Sequence, residues 1–117
     1  NEDKPFLETA PWLIIVFKIL RDDRANALNE QVYYVNESVG IATGLLISAI
    51  HHAGLVTLTH TPSPMGFLGQ ILGRPAHERP FLLLPIGYPA ENCRIPDISR
   101  KSLAEIMTLD REDQGVS

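Results

Sequence analysis

The stretch VNESVGIATGLLISAIHHAG, residues 35–54, decides the fold because its pattern predicts one long and largely buried helix. A seam of apolar residues repeats at alternating spacings of four and three, which places it along one side of a 3.6-period helix. The seam consists of Val35, Val39, Ala42, Leu46, Ala49 and Ala53. Further apolar residues lie off the seam, namely Ile41, Leu45, Ile47 and Ile50. We therefore expect protein to enclose the helix on several sides, which excludes a surface helix.

Two glycines, Gly40 and Gly44, leave one side of this helix with little bulk. A glycine inside a helix costs roughly 1 kcal/mol relative to alanine, so two of them indicate a packing reason. A second helix, or the same helix of another subunit, could approach closely there; the alternative is a helix that merely tolerates glycine. Gly54 is predicted to end the helix, and both Asn29 and Asn36 are acceptable N-caps.

The composition limits the chain to one domain and excludes two classes of partner. With 117 residues, 44% of them hydrophobic, it holds at most one small core. The net charge of −4 comes from interspersed acidic and basic residues, so neither nucleic acid nor an anionic membrane is an expected partner. No stretch reaches the roughly 20 apolar residues that span a bilayer. A single cysteine, Cys93, excludes an internal disulfide framework and favours a reducing, cytoplasmic compartment.

Two other apolar runs predict strands. Residues 12–20, WLIIVFKIL, are nearly continuous in apolarity, as expected of a central strand covered on both faces. Residues 81–87, FLLLPIG, form the second, and Pro85 favours an edge position or a bulge. Shorter patterns predict a loop over residues 21–30, a strand over residues 55–59, and helices over residues 65–72 and 101–109, the last capped by Ser102 or Ser99.

The common chemical motifs are missing from the sequence. The four histidines lack metal-ligand spacing, and His51 and His52 are more simply cations at the C-terminus of the predicted helix. Cys93 lies in no nucleophile motif, and neither a dinucleotide fingerprint nor a P-loop is present. The segment TLTHTP, residues 57–62, is different, because it places hydroxyls and backbone N–H groups at the end of a strand. Such groups suit a flat ligand with a polar edge.

Four blocks of sequence, in this order, resemble the C-terminal half of the nitroreductase superfamily. They are APWLIIVFK (residues 10–18), YYVNESVGIATGLLISAIHHAGLVTLTHTP (33–62), LGRPAHERPFLLLPIGYP (72–89) and PDISRKSLAEIM (96–107). The iodotyrosine deiodinase branch is the nearest match, and the resemblance extends from about Leu7 to Met107. Because the chain also begins at Asn1 within a charged run, we expect residues 1–117 to be a partial domain whose N-terminal half is missing.

This resemblance implies an α+β fold in which a long central helix packs on a small mixed sheet. It also implies a homodimer that holds FMN at the subunit interface. A small aromatic molecule would be the substrate and NAD(P)H the electron donor. The implied activity is reduction of nitro, quinone or halogenated aromatic acceptors through the flavin.

The resemblance also assigns site residues by position. Thr59, His60 and Thr61 match a Thr-Thr-Thr-Pro segment that contacts the flavin, with Thr61 at the place of the catalytic hydroxyl that can bond flavin N5. His60 departs from that run; it could contact the flavin through its backbone, which we favour, or change the flavin's surroundings through its ring. Arg100 matches an arginine that binds the FMN phosphate, a role that suits the planar guanidinium. Lys4 falls at the place of a lysine that binds the substrate's zwitterionic end, although its neighbours differ.

Two functions stay open at this point. The protein that contains this chain could be an FMN-dependent oxidoreductase. Alternatively, the chain is a non-catalytic dimerising fragment that cannot hold FMN by itself, because the family's other phosphate ligands lie in the half that is missing. Function depends on the site rather than the fold, so the resemblance does not separate the two.

Overall fold

The fold is described for residues 5–22 and 30–110 of a computed structural model. Its helices in this part of the chain are α1 (Phe6–Thr9), α2 (Val35–His52), α3 (Phe67–Ile71) and α4 (Leu103–Ile106). Its strands are β1 (Trp12–Ile19), β2 (Arg21–Asp22), β3 (Glu30–Gln31), β4 (Val56–Thr57) and β5 (Glu78–Gly87). The mixture of helices and strands agrees with the predicted α+β class. Residues 23–29, most of the predicted loop over residues 21–30, lie outside the described residues.

The main sheet has three strands in the order β1-β5-β4, and both pairings are antiparallel. The prediction of a mixed sheet is therefore wrong for the described residues. The prediction that β1 is a central strand is also wrong, because among the described residues β1 pairs with β5 alone and forms an edge. The strand in the middle is β5, and its residues 82–86 are all buried. Continuous apolarity predicted that β1 is covered on both faces, but no residue of β1 is buried among the described residues, and the pattern did not reveal which strand has a neighbour on each side.

Pro85 lies in this middle strand rather than at the predicted edge. Leu83 directs its N–H and C=O toward His60, and backbone groups alternate in direction along a strand, so Pro85 faces the same side. That side faces β4 and His60 rather than β1, so the missing N–H of Pro85 breaks no bond to β1. Its carbonyl accepts a hydrogen bond from Thr57 Oγ1 at 2.7 Å. A register shift does occur, but farther along, between Val16 and Phe17 of β1.

The predicted helix is confirmed as α2, although its ends differ in detail. Tyr34, in the left-handed conformation at φ 57°, precedes the first turn. Asn36 is not the N-cap; it is the second helical residue, and its Oδ1 accepts a bond from Lys18 Nζ at 3.1 Å. The other candidate, Asn29, lies outside the described residues. At the C-terminus, Gly54 at φ 81° donates to His51 O, and Leu55 N–H reaches back to Ile50 O, which is the predicted glycine stop.

The buried face of α2 is rotated from the predicted seam. Thr43 and Ile50 are buried, whereas Ala42, Ala49 and Ala53 are exposed. Ile50 belongs to a cluster with Leu82, Leu84 and Ile86 of β5, and Leu46 and Ile47 pack against that cluster. Burying a branched aliphatic side chain removes more apolar surface from water than burying alanine, so the bulky residues take the inner face.

The outer face of α2 is open in this chain. Ile41 and Leu45, which lie opposite the buried side of the helix, are each 69% exposed. An added Cβ at Gly40 or Gly44 would meet nothing within 4 Å, so these glycines serve no close approach inside the described chain. The described part of the chain does not enclose the helix on several sides, so the expectation is not met there.

The shorter elements follow the predicted boundaries approximately. Helix α3 falls inside the predicted 65–72 range, and Gly73, two residues beyond its end, lies in the left-handed region at φ 64°, which favours glycine. Helix α4 is one turn long and is capped by Ser102, which forms a capping box with Glu105. Helix α1 was not predicted, because its four residues show no periodicity in the sequence.

A bidentate ion pair closes the turn that leads into β5. Arg74 Nε and Nη2 donate to the two carboxylate oxygens of Glu78, at 2.5 and 2.7 Å. These hydrogen bonds, with the positive charges of Arg74 and His77, lower the pKa of Glu78 in spite of its partial desolvation. The pair holds together the turn before the strand on which the sheet is built.

We predict that Glu78→Gln destabilises the chain at neutral pH and that this effect disappears in acid. Because folding lowers the pKa of Glu78, the carboxylate contributes stability above the ordinary glutamate pKa and loses it as the pH falls through the folded-state value. Urea unfolding of wild type and variant, from pH 7 down to pH 3, measures the difference. Glu91→Gln, at an exposed residue with no ion pair among the described residues, is the control. A wild-type advantage that does not change with pH would contradict the assignment.

We predict that Thr57→Val lowers the free energy of unfolding by about 1–3 kcal/mol, because it removes the donor to a buried carbonyl while keeping the side chain's shape. Chemical denaturation measures the loss. Thr59→Val is the matched control, since Thr59 makes no hydrogen bond with the described part of the chain, and it is expected to change stability little. Equal losses in the two variants would show that the Thr57 bond does not hold β4 to β5.

Candidate functional site

The threonine segment, residues 57–61, is fixed to the middle strand at two points. The first is the bond from Thr57 Oγ1 to Pro85 O. The second is an antiparallel bridge in which His60 N–H donates to Leu83 O at 3.0 Å and Leu83 N–H donates to His60 O at 2.9 Å. Leu83 is only 4% exposed, so the bridge ties the segment to a rigid part of the core.

Thr59 and Thr61 flank the bridged residue and are exposed. In an extended segment the backbone groups of these neighbours are directed away from the partner strand. Neither residue forms a hydrogen bond within residues 5–22 and 30–110. Two threonines with available hydroxyls and backbone N–H groups therefore lie on a segment that is fixed to β5. These groups fit the polar edge of a flat ligand such as a flavin.

His60 is held differently from its neighbours. Its N–H and C=O both bond to Leu83, so His60 has no free backbone N–H for the flavin contact that the sequence favours. Its imidazole is half-buried and meets the ring of Phe6 in α1 edge to face, with ring centroids 5.5 Å apart and planes at 85°. Sequence reasoning missed this contact, because nothing in the short run around Phe6 distinguishes it from a polar lead-in.

Arg100 lies on an arm, residues 90–110, in which every residue is exposed. Its guanidinium forms no ion pair or hydrogen bond with the described part of the chain. Arg100 is therefore available to bind an anion, but no hydrogen bond connects it to the threonine segment. Lys4, the predicted substrate ligand, lies outside the described residues.

A cavity of about 820 Å³ opens beside these elements. It lies between α1, the C-terminal end of α2, strand β4 and the end of β5, and residues 93–96 close one side. Its lining is mainly apolar, with polar groups from His51, Thr57, Tyr88 and Cys93 among others. Thr59, His60, Thr61 and Arg100 do not line it, although Phe6 does. The cavity therefore adjoins the threonine segment without containing the predicted ligand residues.

The described residues contain neither a metal-binding cluster nor a membrane-spanning helix. No group of three or more His, Cys, Asp or Glu side chains there is arranged to hold a metal ion. In the same residues, no helix combines the length and apolarity needed to cross a membrane.

No protein-family model matches the chain. Individual proteins do match it. The chain is 58% identical over 106 residues to an iodotyrosine deiodinase of Haliscomenobacter hydrossis, a match that covers 91% of this chain and 48% of that protein. It is 48% identical over 108 residues to iodotyrosine deiodinase 1 of Homo sapiens, covering 92% of this chain and 37% of that protein. The chain thus spans about half the length of its relatives, or less.

A solved structure agrees with the sequence matches. Oxidized iodotyrosine deiodinase bound to FMN and 3-iodo-L-tyrosine superimposes on 93% of this chain, with a TM-score of 0.67 and 28% identity, and the match covers 50% of that chain. The nitroreductase-like fold implied by the resemblance is therefore confirmed for this part of the protein. Over nearly its whole length, the chain is a homologue of the iodotyrosine deiodinases, a branch of the nitroreductase superfamily.

Proposed function

We propose that this chain is the C-terminal half of an FMN-dependent enzyme that reductively removes halogen from a halogenated aromatic molecule such as 3-iodo-L-tyrosine. The 58% identity to an iodotyrosine deiodinase over 91% of the chain is the observation that carries the proposal. When bound and reduced, FMN would supply the two electrons that, together with one proton, convert a carbon–iodine bond into a carbon–hydrogen bond and iodide.

The threonine segment supplies the flavin-edge contacts in this proposal. Thr61 and Thr59 are exposed, lack partners within the described chain and flank the bridge that fixes their position. Thr61 would place its hydroxyl at flavin N5, where hydrogen bonding affects the reactivity of the ring. A donor held in advance by the protein loses little conformational entropy when the ligand binds.

Arg100 supplies the phosphate contact, and its place on the arm favours a site shared by two chains. The arm carries exposed apolar side chains, including Ile95 at 83% and Ile106 at 66%. Ordered apolar residues of this kind mark a surface that another chain covers. We infer that the arm docks outside its own domain and that Arg100 meets the flavin at an interface between two copies.

The open face of α2 supports the same dimer. Ile41 and Leu45 form an exposed apolar pair one helical turn apart, and Gly40 and Gly44 add no bulk beside them. Small residues let two helix backbones approach closely, so this face suits the same helix of a second copy.

The resemblance extends the proposal further, to nitro and quinone acceptors, to NAD(P)H as electron donor and to a cytoplasmic location. These stay predictions. The alternative, a dimerising fragment without flavin, is favoured by one observation: the chain spans about half of its relatives. By the resemblance, Arg100 is the one residue in it that matches the family's phosphate ligands.

The test of the function uses the full-length protein, meaning this chain joined to the remaining length of its relatives. With bound and reduced FMN it is expected to release iodide from 3-iodo-L-tyrosine. Arg100→Ala is expected to weaken FMN binding roughly ten- to a hundredfold, because it removes a charge-assisted phosphate contact of about 1.5–3 kcal/mol. Titration followed by flavin fluorescence measures the affinity.

Lys101→Ala is the matched control for Arg100→Ala, since it removes a neighbouring exposed charge and is expected to leave the flavin affinity nearly unchanged. Equal FMN affinities of wild type and Arg100→Ala would refute the phosphate role. A full-length protein that binds no flavin would overturn the proposed function.

The dimer is tested by Gly44→Leu, which is expected to weaken association by wedging two helices apart. Inside one chain the added side chain meets nothing within 4 Å, and leucine favours helix more than glycine does, so the fold should not suffer. Sedimentation velocity at micromolar concentration measures the effect, with Gly44→Ala as the small-residue control. A monomeric wild type, or unchanged association in Gly44→Leu, would rule out this interface.

A further inference from the structure

Two basic side chains lie opposite each other near one end of the main sheet. The antiparallel register pairs Lys18 of β1 directly with Arg79 of β5. Both residues line a second cavity, of about 320 Å³, which shares no described lining residue with the cavity of about 820 Å³ or with the threonine segment. The described residues that line it are Lys18, Leu20, Met65, Gly66, Arg79 and Pro80. Because like charges directly opposite on a sheet destabilise it, this pair calls for a compensating negative charge.

The described residues do not supply that charge. Lys18 Nζ donates to a neutral acceptor, Asn36 Oδ1, at 3.1 Å. Arg79 Nε donates to the carbonyl oxygen of Ala76 at 3.3 Å. Neither cation forms an ion pair within residues 5–22 and 30–110, and no carboxylate from those residues lines the cavity. The two positive charges therefore have hydrogen-bond acceptors but remain unneutralised in this part of the chain.

The nearest acidic residues along the chain are placed elsewhere. Glu78 precedes Arg79 in β5, and successive residues of a strand point to opposite faces, so its carboxylate is directed away and binds Arg74 instead. Glu37, in the first turn of α2, is exposed and forms no ion pair with Lys18. A negative charge at this cavity therefore has to come from outside the described residues.

The remaining donors of the two cations suit an anion with several oxygens. An ammonium group has three N–H donors and a guanidinium group five, and the observed bonds use one donor of each. The planar guanidinium can bind two oxygens of one phosphate group, while the ammonium adds a compact charge. The rest of the described lining is uncharged, so no group there competes for these donors.

We propose that Lys18 and Arg79 bind a small free oxyanion of the phosphate class at this cavity. Neither residue takes part in the flavin or substrate contacts of the proposed function. Arg79 is four residues from Leu83, to which His60 bonds, and a strand rises about 3.3 Å per residue, so the two positions lie roughly 13 Å apart along β5. The bound oxyanion neutralises the repulsion between the strands and thereby stabilises the pairing of β1 with β5.

The test uses the full-length protein with saturating FMN and inorganic phosphate as the probe, in chloride buffers of constant ionic strength. Isothermal titration is expected to show saturable binding with a dissociation constant on the order of a millimolar. Lys18→Met and Arg79→Met should each weaken it about five- to twentyfold, because each removes one charged contact at a partly exposed site. Arg79→Lys keeps the charge and should retain most of the affinity.

Thermal unfolding provides a second readout that a purely structural role would not produce. Without phosphate, Lys18→Met and Arg79→Met should melt at or above the wild-type temperature, because each ends the repulsion between like charges. With phosphate, the melting temperature of wild type should rise, and that of the variants should change much less. The order of stabilities therefore depends on the anion.

Two controls separate this site from general charge effects and from the flavin. Arg21→Met removes an exposed cation of β2 outside the cavity, and Arg100→Ala removes the proposed FMN-phosphate contact; both should keep the wild-type affinity for inorganic phosphate. No saturable binding by wild type, unchanged binding by both cavity variants, or an equal loss in Arg21→Met would overturn the proposed site.

Lower stability of both cavity variants in phosphate-free buffer would show that a carboxylate of the full-length protein already occupies the site, which also overturns binding of a free oxyanion. A protein that binds phosphate through Lys18 and Arg79 but binds no FMN would refute the proposed function and support this site.

Discussion

The described fold depends on the burial of β5 between two neighbouring segments and beneath α2. Leu84 is fully buried there, and Ile50 of the helix packs into the same cluster. The strand offers backbone bonds to β1 along one side and to Thr57 and His60 along the other. Apart from the arm, each described part of the candidate site therefore bonds to β5 or packs on it. Loss of its packing would release the helix and the threonine segment together.

The two faces of the chain differ in how completely they are covered. Inside, aliphatic side chains of α2 and β5 exclude water from a small core. Outside, the Ile41 and Leu45 face and the apolar side chains of the arm remain in contact with solvent. Contiguous exposed apolar surface of this kind marks a site where another chain or segment binds. This imbalance is the physical argument for cover by a second chain, by the part of its relatives that this chain does not span, or by both.

Local signals in the sequence predicted the elements well, and long-range arrangement less well. The period of 3.6 and Gly54 located α2 and its end, because helices are specified by neighbours three and four residues away. The same period did not show that Ile47 and Ile50 would turn inward in place of Ala42 and Ala49, since that choice depends on the size of the sheet surface they meet. The prediction of β1 as a central, covered strand was wrong for a similar reason: continuous apolarity does not show which neighbours cover a strand, and no residue of β1 is buried among the described residues.

The candidate site shows the same difference between what local signals predicted and what long-range contacts decided. The resemblance indicated Thr59, Thr61 and Arg100 by position. The structure shows why the two threonines are available: His60, between them, bonds to Leu83, so the backbone groups of its two neighbours are directed away from β5. No local pattern could have revealed the Phe6 contact, because it joins residues 54 positions apart. The sequence did not predict that the arm is exposed, since an irregular segment with apolar residues has the same pattern whether its own domain or another chain covers it.

The central claim is that this chain holds only part of a flavin site. Isothermal titration of the 117-residue chain with FMN, beside the full-length protein, tests it most directly. With Arg100 as the one matched phosphate ligand, the chain alone is expected to bind more weakly than about a micromolar, equivalent to roughly −8 kcal/mol, and the full-length protein more tightly than that. A submicromolar dissociation constant for the 117-residue chain by itself would contradict the account.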